Sequence, residues 1–247
     1  MNDCSDIIPQ ISIIIPTYCE APNLTSLVDG ISDSFAASLL KDNGVEIIVV
    51  DDNSPDDTKG VCQSLASRYS ELKLITRVDE RGLATAVKRG IKESNGDILV
   101  IMDADSSHNP ALIPILIEQI TNNGQDITIG SRFVNSSNMH SSLRCIWGSR
   151  ILNRFISILL QIPVKDITGG FLAVKKSALN VLDHDYVFKG YGDYCFALLH
   201  EGMKQGWRFK EIGYHYQPRK HGKSKTNFYA TGFRYGIRAI KIRFGWG

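Results

Sequence analysis

No apolar run in this sequence approaches the roughly 18 uninterrupted residues that a membrane-spanning helix needs, so no stretch reads as a span. The first ten residues, Met1 to Gln10, have neither a basic start nor an apolar centre, and so do not read as a secretory leader. Cysteine is scarce and scattered: Cys4, Cys19, Cys62, Cys145 and Cys195 are odd in number and lack CxxC spacing. That pattern excludes a disulfide framework or a zinc site and fits reduced thiols in a cytosolic protein. An excess of one charge is also missing. With a formal net charge of +2, nothing draws the chain as a whole to nucleic acid. Repeats are absent, and so are linkers and low-complexity tracts before the C-terminal third. The first β-rich run ends in Pro16-Thr17-Tyr18-Cys19-Glu20, with no Gly-x-Gly-x-x-Gly after it. This sets aside a dinucleotide-dependent oxidoreductase.

What the chain does have is 247 residues, 43% hydrophobic and 22% charged, enough for one large α/β domain with or without a small appendage. Apolar, β-branched runs at Ile11–Ile15, Val45–Val50, Leu72–Thr76, Ile98–Met102 and Asp126–Gly130 have the length of buried strands. Helical stretches alternate with them, from Pro22 to about Leu40, on to about Tyr69, from Leu83 to Glu93 and from Pro110 to Asn122. The alternation predicts a mostly parallel sheet with helices on both faces. Polar clusters follow the strands and do not precede them: Pro16 to Glu20, Asp51-Asp52, Arg77 to Arg81, Asp103 with Asp105, and Ser131-Arg132. In an open parallel sheet all of these share one edge, where ligands bind. The edge then offers acids for a metal and arginines for phosphates.

Asp103 and Asp105 are the centre of this edge. Residues i and i+2 of an extended chain point the same way, and two carboxylates so placed repel unless a cation lies between them. Hard oxygen ligands select Mg²⁺ or Mn²⁺, whose shell substrate phosphates complete. The bland alternative is a solvated loop leading to a helix cap before Asn109-Pro110.

The C-terminal third is less regular. Leu143 to Ile162 is an apolar helical stretch punctuated by Arg144, Arg150 and Arg154, either a buried helix or a surface for an acyl chain. Asp166-Ile167-Thr168-Gly169-Gly170-Phe171 holds two glycines where backbone can approach a ligand or simply turn. Asp193 precedes a helix from Tyr194 to Gln205, as its cap or as a site acid. Charge is uneven here: from Arg208 onward Lys and Arg crowd the chain, and Glu211 is the single acidic residue. Arg219 to Lys225 is a basic, Gly-containing loop suited to phosphate. Asn227 to Trp246 interleaves Arg and Lys with aromatic residues at helical spacing, which suits either packing on the domain or a membrane interface.

Taken in order, the segments Pro16 to Glu20, Val49 to Asp56, Arg81-Gly82-Leu83, Met102 to His108, Gly130-Ser131-Arg132, Asp166 to Phe171 and Arg219 to Lys225 resemble family 2 glycosyltransferases of the GT-A fold, in particular the dolichol-phosphate mannosyltransferase-like branch. The resemblance implies an inverting transferase that moves a sugar, mannose or glucose, from a nucleotide-diphosphate sugar to a polyprenyl phosphate. It implies that Pro16, Tyr18, Glu20 and Asp52 cradle the nucleoside, and that Asp103, Ala104 and Asp105 meet the donor. Asp103 and Asp105, with Ser107 as a further contact, would bind Mg²⁺ or Mn²⁺. Arg132 would reach the donor diphosphate or the acceptor phosphate, with Arg150 also on the acceptor phosphate, while Arg219 and Lys225 close over the site. Asp105 and Arg132 are the residues expected to carry catalysis.

The sequence departs from the family pattern at Cys19, where Asn is usual, and at Asp57, Leu172 and Lys223, where Gly, Arg and Glu are common. These positions bear on the sugar and the acceptor. A saccharide or protein hydroxyl acceptor is the rival and would need a base, with Asp166 or Asp193 as the candidates. A nucleotide-binding module without activity is the rival outside catalysis. The expected organisation is a catalytic domain over 1–225 and a basic amphipathic helix over 226–247. The expected location is a cytoplasmic membrane surface, reached directly or through an integral membrane partner.

Overall fold

The computed structural model describes residues 10–38, 40, 44–134, 143–214 and 228–246. Among these residues seven strands form one sheet: β1 (Ile11–Thr17), β2 (Val45–Asp51), β3 (Leu72–Thr76), β4 (Ile98–Ile101), β5 (Ile127–Ser131), β6 (Leu172–Lys175) and β7 (Phe209–Gly213). Their order is β3-β2-β1-β4-β6-β5-β7. All run parallel except β6, which is antiparallel to both of its neighbours. The helices are α1 (Ala21–Ala36), α2 (Thr58–Ala66), α3 (Leu83–Glu93), α4 (Ile113–Thr121), α5 (Leu143–Leu160), α6 (Lys176–Leu179), α7 (His184–Val187), α8 (Tyr194–Lys204) and α9 (Phe228–Phe244).

β1 shows why the strands read as continuous apolar runs. All seven of its residues are buried. Ile11, Ile13 and Ile15 enter the layer packed by α1, α2 and α4, while Ile14 enters the opposite layer with α3, α5, α8 and α9. Period-2 alternation therefore feeds two cores, each side chain contributing about 1.5–3 kcal/mol on full burial.

Topology locates the functional edge. From β1 the chain steps outward through β2 to β3, then returns to place β4 on the other side of β1. The loops after β1 and β4 thus diverge at a switch point, where a crevice opens beyond the carboxyl ends of the strands. Register holds those ends level, pairing Thr17 with Asp51 and Asp51 with Thr76. Because β6 runs the other way, the segment that leads into it, Asp166 to Phe171, arrives at this same edge. The five strands anticipated from sequence are present. β6 and β7 were not anticipated, for β6 has only four residues after a Gly-Gly pair, and β7 is half-exposed and carries Lys210 and Glu211.

The C-terminal helix α9 is built into the domain. Tyr235, Ala239 and Ile242 are buried in the same cluster as α5 and α8. Among the described residues no helix is long and apolar enough to cross a membrane.

Candidate active site

A cavity of about 680 Å³ opens at the switch point. Its walls come from the loop after β1 (Pro16, Thr17, Tyr18, Glu20), from Asp52 after β2, from Asp103, Ala104 and Asp105 after β4, and from Thr168 and Gly170 before β6. Arg81 and Gly82 before α3, Leu83 and Ala86 of α3, Tyr191, Gly192, Tyr194 and Cys195 around the start of α8, and Ala230, Thr231, Arg234 and Tyr235 of α9 complete it. Seven of the residues expected to bind donor or metal therefore share one cavity: Pro16, Tyr18, Glu20, Asp52, Asp103, Ala104 and Asp105.

The backbone at this edge is tightly held. Cys19, Asn53 and Ser106, which follow β1, β2 and β4, adopt left-handed conformations with φ of 55°, 54° and 62°. Such geometry in non-glycine residues persists where surrounding contacts fix it. The Cys19 amide donates to Ser54 Oγ at 2.8 Å, and the Ser54 hydroxyl in turn donates to Asp51.

Asp103 stands at the cavity with its side chain 39% exposed, and Asp105 is nearly buried. The Ser107 amide donates to Asp105 Oδ1 at 3.0 Å. Ser107 itself is buried and does not line the cavity, and its main-chain N–H braces Asp105. The Asp103 amide donates to His108 Nδ1 at 3.0 Å, which places the ring proton on Nε2, 3.9 Å from Asp103 Oδ2. His108 is stacked on Phe171, with centroids 4.8 Å apart, and burial lowers its pKa, so it is the neutral tautomer that faces the carboxylate.

Two carboxylates on one wall form an all-oxygen donor pair that fits Mg²⁺ or Mn²⁺, and no third His, Cys, Asp or Glu joins them among the described residues. Gly170 keeps the space before them open. A Cβ there would lie 3.5 Å from Asp103 Oδ1 and 3.6 Å from the Tyr194 hydroxyl. Burial raises the Tyr194 pKa well above its ordinary value and keeps that hydroxyl protonated.

The contacts of several arginines and acids differ from those expected. Arg77, expected at the phosphates, is buried. It pairs with Asp52 through Nε at 2.7 Å and through Nη2, and also reaches Thr85 Oγ1 at 2.9 Å. The second Asp52 oxygen accepts the Gly82 amide at 2.7 Å, in a turn whose φ of 138° needs glycine. Asp52 thus shapes the wall of the cavity by fixing the Arg81–Gly82 turn. Arg132 does not line the cavity. It forks onto the fully buried Asp166, and its Nη2 reaches the cavity-lining Thr168 Oγ1 at 3.1 Å. Arg150 is also elsewhere, over the Phe133 ring in a hollow of about 510 Å³ that it shares with Arg154, Pro163 and Lys165. Asp166 is committed to Arg132, and Asp193 accepts the Tyr191 amide at 2.7 Å without lining the cavity, so neither stands as a base. Arg219 and Lys225 lie outside the described residues.

The sequence is matched over residues 12–183 by the model of the family described as glycosyl transferase family 2. The chain belongs to that family. It is 41% identical over 173 residues to a dolichol-phosphate mannosyltransferase of Pyrococcus furiosus, an alignment covering 69% of this chain and 47% of that protein. It is 31% identical over 247 aligned positions to a dolichol-phosphate mannosyltransferase of Mycosarcoma maydis, covering 97% and 81% of the two chains. The chain thus spans about half the length of the first relative and most of the second. In structure it resembles glucosyl-3-phosphoglycerate synthase of Mycobacterium tuberculosis, solved in complex with Mn²⁺ and UDP-glucose. The TM-score is 0.70 at 22% identity, over 96% of this chain and 79% of that one, a likeness of fold. The family and the GT-A fold read from the motifs are borne out.

The cavity contains groups to which the motifs alone give no role. Arg81 stacks on Tyr18, its guanidinium carbon 5.5 Å from the ring centroid, and Arg234 stacks on Tyr191 at 5.9 Å. Tyr191, Tyr194 and the α9 residues come from segments far along the chain, and only the return of α8 and α9 to the sheet edge reveals them.

Proposed function

We propose that this family 2 glycosyltransferase moves a hexose, mannose foremost, from a nucleoside diphosphate sugar to a dolichyl-type polyprenyl phosphate at a membrane surface. The observation that carries the acceptor is the state of the cavity's carboxylates. A hydroxyl acceptor needs a general base, whereas a phosphate monoester is already ionised near neutral pH. Among the described residues the lining carboxylates are Glu20, Asp52, Asp103 and Asp105. Glu20 accepts Asn23 Nδ2 at 2.7 Å, Asp52 is held by Arg77 and Gly82, and the other two form the cation-binding pair. The names of the relatives support the same acceptor chemistry.

In this reading the acceptor's phosphate oxygen attacks the anomeric carbon as the bond to the donor's diphosphate breaks, and the nucleoside diphosphate departs with the electron pair. Pro16, Tyr18 and Glu20 receive the nucleoside, and Asp103 and Asp105 would hold Mg²⁺ or Mn²⁺. The cation would supply positive charge that stabilises the leaving group. Tyr194 and the Gly170 backbone leave room for the sugar, and orientation of the two reactants does the rest.

Membrane contact rests on α5 and α9, which pack on each other. Ile151, Phe155 and Ile158 on α5 and Phe233, Ile237, Ile240 and Phe244 on α9 are exposed at helical spacing, beside Arg154, Lys241 and Arg243. Apolar stripes flanked by cations suit an interfacial, non-spanning contact.

The test is a panel of nucleotide sugars against dolichyl phosphate, dolichol and soluble oligosaccharides, with Mg²⁺ or Mn²⁺. Labelled glycolipid from the phosphate alone supports the reading. Transfer to an oligosaccharide with none to the lipid phosphate overturns it.

A further inference from the structure

α9 gives the cavity a cation that neither the motifs nor the relatives' names assign. Its residues Ala230, Thr231, Arg234 and Tyr235 line the wall, at a spacing that sets them on one helical face. The adjoining face bears the exposed stripe Phe233, Ile237, Ile240 and Phe244. The helix is pinned beside the site at Tyr235. This residue is buried, and a Cβ at the neighbouring Gly192 would overlap its hydroxyl.

Two other arginines at this edge are already neutralised, Arg77 by Asp52 and Arg132 by Asp166. Arg234 is exposed, makes no ion pair among the described residues, and stacks on the Tyr191 ring. Arg81 and Tyr18 form the matching stack on the wall that also carries Pro16 and Glu20. The reaction brings two phosphate groups together, the donor's diphosphate and the acceptor's monoester. The cavity thus presents two tyrosine-braced guanidiniums for two anions, one on the wall with Tyr18 and one on α9 beside an apolar stripe.

We propose that Arg234, stacked on Tyr191, is the group that takes the phosphate of the lipid acceptor, with the isoprenoid chain leaving along the exposed stripe of α9. The inference rests on the acceptor chemistry argued above. A guanidinium offers two parallel hydrogen bonds to phosphate oxygens, and the ring beneath fixes its plane. Head group and tail then part at one helix, the head on the face that lines the cavity and the tail on the face next to it.

The experiment compares wild type with Arg234→Gln and Arg234→Lys, using two acceptors. One is farnesyl phosphate in solution without lipid, and the other is dolichyl phosphate in vesicles of phosphatidylcholine with and without phosphatidylserine. Expected is a tenfold or greater rise in acceptor KM with Arg234→Gln for both acceptors, a donor KM within twofold of wild type, and partial recovery with Arg234→Lys. An unchanged KM for farnesyl phosphate overturns the assignment. So does a defect confined to phosphatidylserine vesicles, which marks Arg234 as a surface anchor, or a rise in donor KM instead, which puts it on the diphosphate. A wild-type enzyme inert toward both lipid phosphates defeats the acceptor reading and the subsite with it, and that failure is visible before any variant is compared.

Discussion

Arg132 and Asp166 hold each other through two parallel hydrogen bonds, Nε to Oδ2 at 2.8 Å and Nη2 to Oδ1 at 2.6 Å. Asp166 is fully buried, and it also accepts the Arg132 amide at 2.9 Å. Its own N–H donates to Glu211, and the next two amides, of Ile167 and Thr168, donate to Asn153 Oδ1. The pair therefore sets the path of the segment that carries Thr168 and Gly170 into the cavity. Arg132→Ala leaves a buried carboxylate without its counter-ion and is expected to cost about 3–5 kcal/mol of stability, read by urea unfolding. Arg132→Lys keeps the charge and loses the fork, so it should fall between the two and lower activity as well. Wild-type stability in Arg132→Ala would show that the pair is dispensable.

In the proposed function Asp105, by contrast, is a group spent on chemistry. Asp105→Ala removes one of the two oxygen ligands proposed for the cation, together with the acceptor for the Ser107 amide. Activity should fall a hundredfold or more, as roughly 10²–10³ is typical when one stabiliser of transition-state charge is deleted. Mn²⁺ binding followed by electron paramagnetic resonance should weaken in parallel, and the unfolding midpoint should move little. Wild-type activity that survives EDTA would count against the metal reading.

Gly170 tests the space in front of the acids. A methyl group there stands at ordinary contact distance, 3.5 Å from Asp103 Oδ1 and 3.6 Å from the Tyr194 hydroxyl, so Gly170→Ala should fold. It should nonetheless occupy room that the substrate uses. A drop of tenfold or more in kcat/KM with unchanged thermal stability is expected, and full activity would place the sugar elsewhere.

His200 supplies a pH prediction away from the site. Its Nδ1 lies 3.2 Å from the Leu160 carbonyl, and burial lowers its pKa below the ordinary 6.5. The folded state therefore binds the proton less readily than the unfolded chain does. Its contribution to stability is fully present above pH 6.5 and declines as pH falls through the lowered folded value. His200→Asn, whose amide can still donate to Leu160, should flatten the acid side of a thermal stability profile relative to wild type. An unchanged acid slope would remove His200 from the account.

The parts of this architecture that were legible in the sequence are those written locally. β1, β2 and β4 announce themselves as apolar runs, and the Asp103–Asp105 pair follows one of them directly. A strand whose carboxyl end is known also tells where its loop points, so Pro16 to Glu20 and Asp52 could be gathered at one edge without coordinates. Partnership between distant side chains was not legible. Arg77 and Arg132 both looked like phosphate ligands because an arginine after a strand reads alike whether it faces a substrate or a buried aspartate 25 or 34 residues away. β6 was hidden by its length and its reversed direction, and with it the reason Gly170 stands opposite Asp103. The place of α9 in the cavity wall was hidden for a similar cause. Its apolar and basic pattern shows amphipathicity, but which face meets the domain depends on α5 and α8.

The two exposed stripes carry the last prediction. Phe155 and Phe233 are 52% and 74% exposed, values hard to reconcile with helices that serve only the core. Neither side chain lines the cavity, and both neighbour cationic residues, Arg154 and Arg234. If the stripes rest on lipid, purified protein should float with vesicles containing phosphatidylserine. High salt should weaken that binding, because the cationic part of the attraction is screened over about 10 Å at 0.1 M ionic strength. Phe155→Ser combined with Phe233→Ser should reduce flotation severalfold at either salt concentration, since it removes apolar area that salt does not affect. Transfer to farnesyl phosphate in solution separates docking from chemistry, for it should lose far less than transfer to dolichyl phosphate in vesicles. Wild-type protein that stays at the bottom of the gradient at low and high salt would exclude direct docking and leave an integral membrane partner as the route to the lipid.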